Sequence, residues 1–177
     1  VEIEEPASAE EAAAVRARLG IGAEFVVGWV GSFRPFHSLT RLVDAAAGLD
    51  GVCLLMVGDG PDRPMVEERA RSLGVRAVFT GTVPHFDLPR YFGAMDTAVV
   101  VAPEHGEFHY SPLKLAEYLA SGLAVIAPDV PTVASRLTHE EQALLASPVD
   151  LGELRSAMVR LRDDPDLRSR LGSSGRA

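Results

Sequence analysis

The feature that most constrains the fold is a series of short apolar runs, each ending at glycine or a loop residue and each followed by a stretch of helical character. Residues 25–30 run into Gly31-Ser32, residues 52–57 into Gly58-Asp59-Gly60, and residues 77–80 into Gly81. The first two runs do not alternate polar with apolar, as a strand with one wet face would. They read instead as strands buried on both sides. Further strands are expected over 97–101, 123–127 and near 143–146.

Helices fill the intervals. Over 8–19, Ser8 and Glu11 form a capping box and Gly20 stops the helix. Over 38–47, Leu39, Leu42, Val43 and Ala46 fall at helical spacing. Helices are also expected at 61–73, 88–95, 112–121 and 133–137, and finally at 151–161 and 166–171, separated by Pro165. This alternation predicts an α/β, Rossmann-like parallel sheet of about six strands, right-handed, with helices on both faces. Ligands bind such sheets beyond the carboxyl ends of the strands, where strand order reverses. The loops at Gly31, Gly58, Gly81, Val101 and Pro128 should therefore share one edge.

With 177 residues the chain is the size of one domain with a substantial core. A formal net charge of -8 argues against nucleic acid as a general partner, and an anionic ligand must be held by local donors against an unfavourable mean field. No apolar run is long enough to cross a bilayer. Cys53, the single cysteine, sits inside an apolar run and reads as a buried, unreactive thiol. His105 and His109 have no recognisable third ligand nearby, so no metal site is expected.

The strongest candidate site is the stretch 109–122. Ser111 suits a helix cap, Pro112 its first position and Gly122 its left-handed close. The free N–H groups of Leu113 and Lys114, with the Lys114 charge, suit a phosphate. Glu117 lies three residues on, along the same helix face, placed to accept from ribose hydroxyls. The spacing Pro-x-Lys-x-x-Glu can also arise by chance on any helix.

This stretch resembles the donor-site signature of the family 4 (group 1) retaining glycosyltransferases of GT-B fold, Glu-x7-Glu, in the variant where Ser-Pro-Leu-Lys precedes the second Glu. Glu117 matches that second Glu, whose family role is to hold the ribose. His109 stands where the first belongs. Similarity runs from about residue 20 to residue 177. In the loop 31–38, the family's diphosphate-binding Arg and Lys positions are occupied by Ser32 and His37, with Gly31 allowing close backbone approach. Arg34 either supplies the missing charge from a shifted position or is a solvated loop residue. Gly58 and Gly60 resemble the family's Gly-x-Gly-Pro, which is otherwise a plain turn, and Thr82 and Val83 its base-contacting segment, otherwise a chain reversal. Arg63 could reach the site, but reads more simply as a residue that stays in water. Glu104 or Glu107 could replace the absent first Glu, or form a solvated acidic loop, while Asp96 reads as a cap or turn residue.

The resemblance implies transfer of a sugar from a nucleotide diphosphate with retention and without an obligatory metal or a cofactor. Lys114 and His37 would act on the departing diphosphate. Gly31, Ser32, Arg34, Gly58, Gly60, Thr82, Val83, Ser111, Pro112, Leu113, Lys114 and Glu117 would bind the nucleotide. Residues 1–7 would be a linker remnant and 8–177 the donor-binding domain, with the acceptor domain absent from this chain. Residues 175–177 would begin the return toward that domain. The implied location is cytoplasmic, with membrane contact left to the missing domain. Ser32 and His109 keep open a non-catalytic nucleotide-binding domain, and the architecture is shared with sugar-nucleotide epimerases and phosphorylases.

Overall fold

The computed structural model describes residues 6–105, 108 and 112–176. Six strands, β1 (Phe25–Val30), β2 (Val52–Val57), β3 (Ala77–Gly81), β4 (Thr97–Val99), β5 (Ala124–Pro128) and β6 (Leu144–Ala146), form one sheet in the order β3-β2-β1-β4-β5-β6. Every pairing is parallel. The helices are α1 (Ala9–Arg18), α2 (Leu39–Ala46), α3 (Arg63–Ser72), α4 (Leu88–Gly93), α5 (Pro112–Ala120), α6 (Pro131–Ala134), α7 (Leu151–Asp163) and α8 (Pro165–Arg176).

The continuous apolar runs serve two cores at once, because successive strand residues point to opposite faces. Phe25, Val27 and Trp29 of β1, with Leu54 and Met56 of β2, pack against Leu42 and Val43 of α2, Val66 of α3, Met158 and Leu161 of α7 and Leu171 of α8. Val26, Cys53, Leu55 and Val57 pack on the other face with Val15 of α1, Phe92 of α4 and Leu115 and Tyr118 of α5. Cys53 is buried there, and burial pushes its thiol up to about 11, well away from reactivity.

Local signals hold at several helix ends. Ser8 and Glu11 form the reciprocal capping box. Gly122, at φ +73°, closes α5: its N–H bonds the Leu119 carbonyl at 2.9 Å, and the Leu123 N–H bonds that of Tyr118 at 3.3 Å. Pro112 opens α5, whereas the expected cap Ser111 lies outside the described residues. Asp96 is structural: its Oδ2 accepts from the Val26 N–H at 2.7 Å and from Arg16 at 2.8 Å, fastening α1 to the sheet.

Several boundaries differ from expectation, three of them for reasons the structure shows. The strand expected over 97–101 stops at Val99, because β1 and β4 pair only at Val27–Thr97 and Gly28–Ala98 and then part. The helix expected at 133–137 is Pro131–Ala134, since Pro131 already provides a preset first turn. The last helix, expected over 166–171, begins at Pro165 and runs to Arg176, carried by Leu167 and Leu171 in the core and by its packing on β5 and α5. Gly175 and Arg176 are the last residues of α8.

Candidate functional site

The strand order reverses between β1 and β4, whose connections lead to opposite faces of the sheet. Their parting leaves the crevice in which such sheets bind ligands. It also leaves the Val30 N–H without a strand partner on that side. The phenol of Tyr118, fully buried, fills the place and accepts that N–H at 2.9 Å. Burial pushes the Tyr118 phenol far above its ordinary range, so it stays neutral. One hydrogen bond thus anchors α5 over the end of β1.

The loops after β1 and β2 meet backbone to backbone. A Cβ on Gly58, which has φ +126°, would lie 1.9 Å from the Gly31 carbonyl oxygen. Gly31 in turn donates to the Val57 carbonyl and Gly58 to that of Gly81, both at 2.9 Å. Gly31, Ser32, Gly58, Thr82 and Val83 line one cleft of about 260 Å3 at the carboxyl ends of β1, β2 and β3. Gly60 is placed differently: it backs the loop, where a Cβ would sit 2.6 Å from the Phe33 carbonyl oxygen.

Lys114 projects from the first turn of α5 onto this loop. Its ammonium lies 4.6 Å from the centroid of the Trp29 ring, and a Cβ on Gly31 would come within 2.3 Å of its nitrogen. Burial lowers Lys114 to about 8, against the opposing pull of the Glu117 carboxylate. His37 packs edge-on against the same indole at 5.3 Å between centroids. Burial, and then the Lys114 charge, push His37 down to about 4. His37 is therefore neutral at physiological pH. It can offer an N–H without adding a second positive charge.

The remaining candidates divide. Glu117 is partly buried one turn beyond Lys114, and the Nε2 of His85 stands 3.7 Å from its Oε1. The Leu113 side chain is exposed at the start of α5. Arg34 is exposed, and its carbonyl accepts the His37 N–H at 3.0 Å. Arg63 is held by Glu67 at 2.6 Å and by Asp59 at 3.3 Å, stacked over Phe79. Glu104 pairs with Arg41 at 3.3 Å, and Arg41 also donates to the Pro148 carbonyl. Glu107, His109 and Ser111 lie outside the described residues. Among the described residues no group of three His, Cys, Asp or Glu could hold a metal ion.

Two residues at the site escaped sequence reasoning. Trp29 was hidden inside a run that reads as core, although it is the only tryptophan and shares a strand face with Gly31 two residues on. His85 follows Val83 in an irregular segment, and only the fold brings it to α5.

Comparison with known proteins accords with this geometry. Residues 24–164 match the glycosyl transferases group 1. The chain belongs to that family. Its relatives include the lipopolysaccharide core biosynthesis glycosyltransferase LpsD of Rhizobium meliloti, 32% identical over 158 residues, a match covering 85% of this chain and 43% of LpsD. Among solved structures, HepE of Anabaena in complex with UDP-glucose superposes with a TM-score of 0.86 at 21% identity, over 97% of this chain and 48% of HepE. The C-terminal domain of LpcC, a group 1 protein of Francisella tularensis, gives a TM-score of 0.81 at 18% identity, covering 99% of this chain and 93% of that domain. This group 1 chain thus spans less than half the length of LpsD. Its sheet is the Rossmann-like half of a GT-B fold.

Proposed function

We propose that this chain is the donor-binding domain of a glycosyltransferase that moves a sugar from a nucleoside diphosphate to an acceptor with retention of configuration, the acceptor being bound by a domain outside these residues. One observation carries the reading: the Lys114 ammonium is seated against Gly31 at the crevice between β1 and β4, with Glu117 one turn further along the same helix. The HepE complex with UDP-glucose supports the donor class.

In this reading the bond between sugar carbon and diphosphate oxygen breaks, the acceptor hydroxyl oxygen takes the carbon, and the hydroxyl proton passes to the departing diphosphate oxygen. Negative charge grows on the departing diphosphate. Lys114, the amino end of α5 and the backbone of the Gly31 loop oppose that charge, with His37 offering a neutral N–H. Glu117 fixes the pentose, and Thr82 and Val83 flank the base. No helix among the described residues is long and apolar enough to cross a membrane. A cytoplasmic location fits this reading.

Calorimetric titration with UDP, GDP and ADP and their sugars tests the proposal. Lys114→Ala should weaken diphosphate binding about 10- to 150-fold, the worth of one hydrogen bond to a charged group, and spare the free nucleoside. Equal losses for nucleoside and diphosphate, or none, would overturn it. Sugar transfer by the full-length protein separates a transferase from a regulatory nucleotide-binding domain.

A further inference from the structure

We propose that His85 completes the pentose subsite, donating from Nε2 to a ribose hydroxyl that in turn donates its own hydrogen bond to Glu117, so that the site selects ribo- over deoxyribonucleotides. The inference deepens the donor-site reading and rests on it.

The two residues come from different elements. Glu117 lies on α5, three residues beyond Lys114, with its side chain 21% exposed. His85 opens a short 3-10 turn, 85–87, between β3 and α4, on the same segment as Thr82 and Val83, and its side chain is 70% exposed. On the donor-site reading Lys114 faces the diphosphate and Thr82 and Val83 the base, which leaves the Glu117–His85 pair for the pentose. A nucleotide is ordered as diphosphate, pentose and base. The pentose is the part that falls between the two heads.

The chemistry of the pair suits a hydroxyl. The heads are 3.7 Å apart, too far for a good direct hydrogen bond yet close enough for one oxygen to reach both. A carboxylate only accepts, so Glu117 alone takes the hydroxyls' hydrogen bonds and leaves their lone pairs unsatisfied. The imidazole supplies the missing donor. A deoxy sugar would leave both heads facing carbon, and a site built to bond a hydroxyl discriminates against its absence.

The test compares UDP, GDP and ADP with their 2′-deoxy and 3′-deoxy counterparts by calorimetry, in the wild-type chain, His85→Ala and His85→Gln. His85→Ala should weaken the preferred ribonucleotide about 3- to 10-fold, the range of one neutral hydrogen bond. It should leave one of the two deoxy analogues unchanged, so that their ratio collapses. His85→Gln, which keeps a donor, should recover part of the ratio. Because His85 is exposed, melting temperatures should match in all three. Should His85→Ala weaken ribo and both deoxy ligands alike, or none of them, while Lys114→Ala still weakens the diphosphate, the role of His85 fails and the donor site stands. A wild-type chain that binds no nucleoside diphosphate overturns both.

Discussion

Replacing Lys114 with Met should make the protein more stable and its anion site weaker. The lysine folds with its ammonium held at about 8, mainly by burial, where an exposed lysine titrates near 10.4. Keeping it charged in the fold at pH 7 therefore costs about 3 kcal/mol, at about 1.4 kcal/mol for each unit. A Met of similar length carries no such cost and can lay its thioether on the Trp29 ring, where the ammonium sits at 4.6 Å. Lys114→Met should gain up to about 3 kcal/mol, or roughly 6–12 °C in a chain of this size. The sign has a second consequence. Between pH 8 and about 10.4 the unfolded chain holds a proton that the folded chain has lost, so the wild type should gain stability as pH rises through that window. The variant should show no such gain. Guanidinium unfolding at pH 7 and pH 10, with calorimetric titration of UDP, GDP and ADP, reads both effects. If Lys114→Met loses stability at pH 7, the ammonium is a structural ion-pair partner and the reasoning is wrong. If it binds diphosphates like the wild type, the charge is not directed at a phosphate.

Other perturbations probe the frame around that charge. Gly58→Ala drives a methyl into the Gly31 carbonyl at 1.9 Å, from a backbone at φ +126°, and should cost about 2–5 kcal/mol in chemical unfolding. Tyr118→Phe leaves the Val30 N–H unpaired in the core and should cost about 1–3 kcal/mol, against a few tenths for removing an exposed phenol. Diphosphate affinity should fall about tenfold between pH 7 and pH 10 as the Lys114 ammonium, at about 8, loses its proton. His37, neutral above about 4, should add no further step, and Lys114→Met should flatten the profile.

The fold was legible because its inner strands are buried on both faces. A run such as 52–57, with every residue buried, has few alternatives once its length is short and a glycine turn follows. Strand ends were less legible. Where β4 stops depends on how far β1 follows it, a relation between segments some 70 residues apart. The candidate site divided along the same line. Glu117 and Lys114 were readable as neighbours because helix spacing fixes their shared face, and the glycine turns because they punctuate strands. Trp29, His85 and the neutrality of His37 depend on contacts across elements: an ammonium laid on an indole, an imidazole brought beside a carboxylate, a ring desolvated near a cation. No local pattern encodes these.

On the proposed donor-site reading, the same contacts account for a lysine that burdens its fold. A phosphate arriving at an exposed lysine must strip water from the ammonium as it binds. At Lys114 most of that water is already gone, displaced by the Trp29 face and the Gly31 backbone. The desolvation is met once, during folding, and the binding step gains the stronger field of a dry, fixed charge. This requires the ammonium to be held still. The indole does so from below, and the Tyr118–Val30 hydrogen bond fixes the helix that carries the lysine to the strand that carries the indole. Rigidity on the β1 side follows from glycines packed backbone to backbone, a contact no side chain could make without parting the loops. If the proposed donor site holds, the hydrogen bond between Tyr118 and Val30 serves it as much as the core: loosening it should weaken diphosphate binding through Lys114 even where the fold survives.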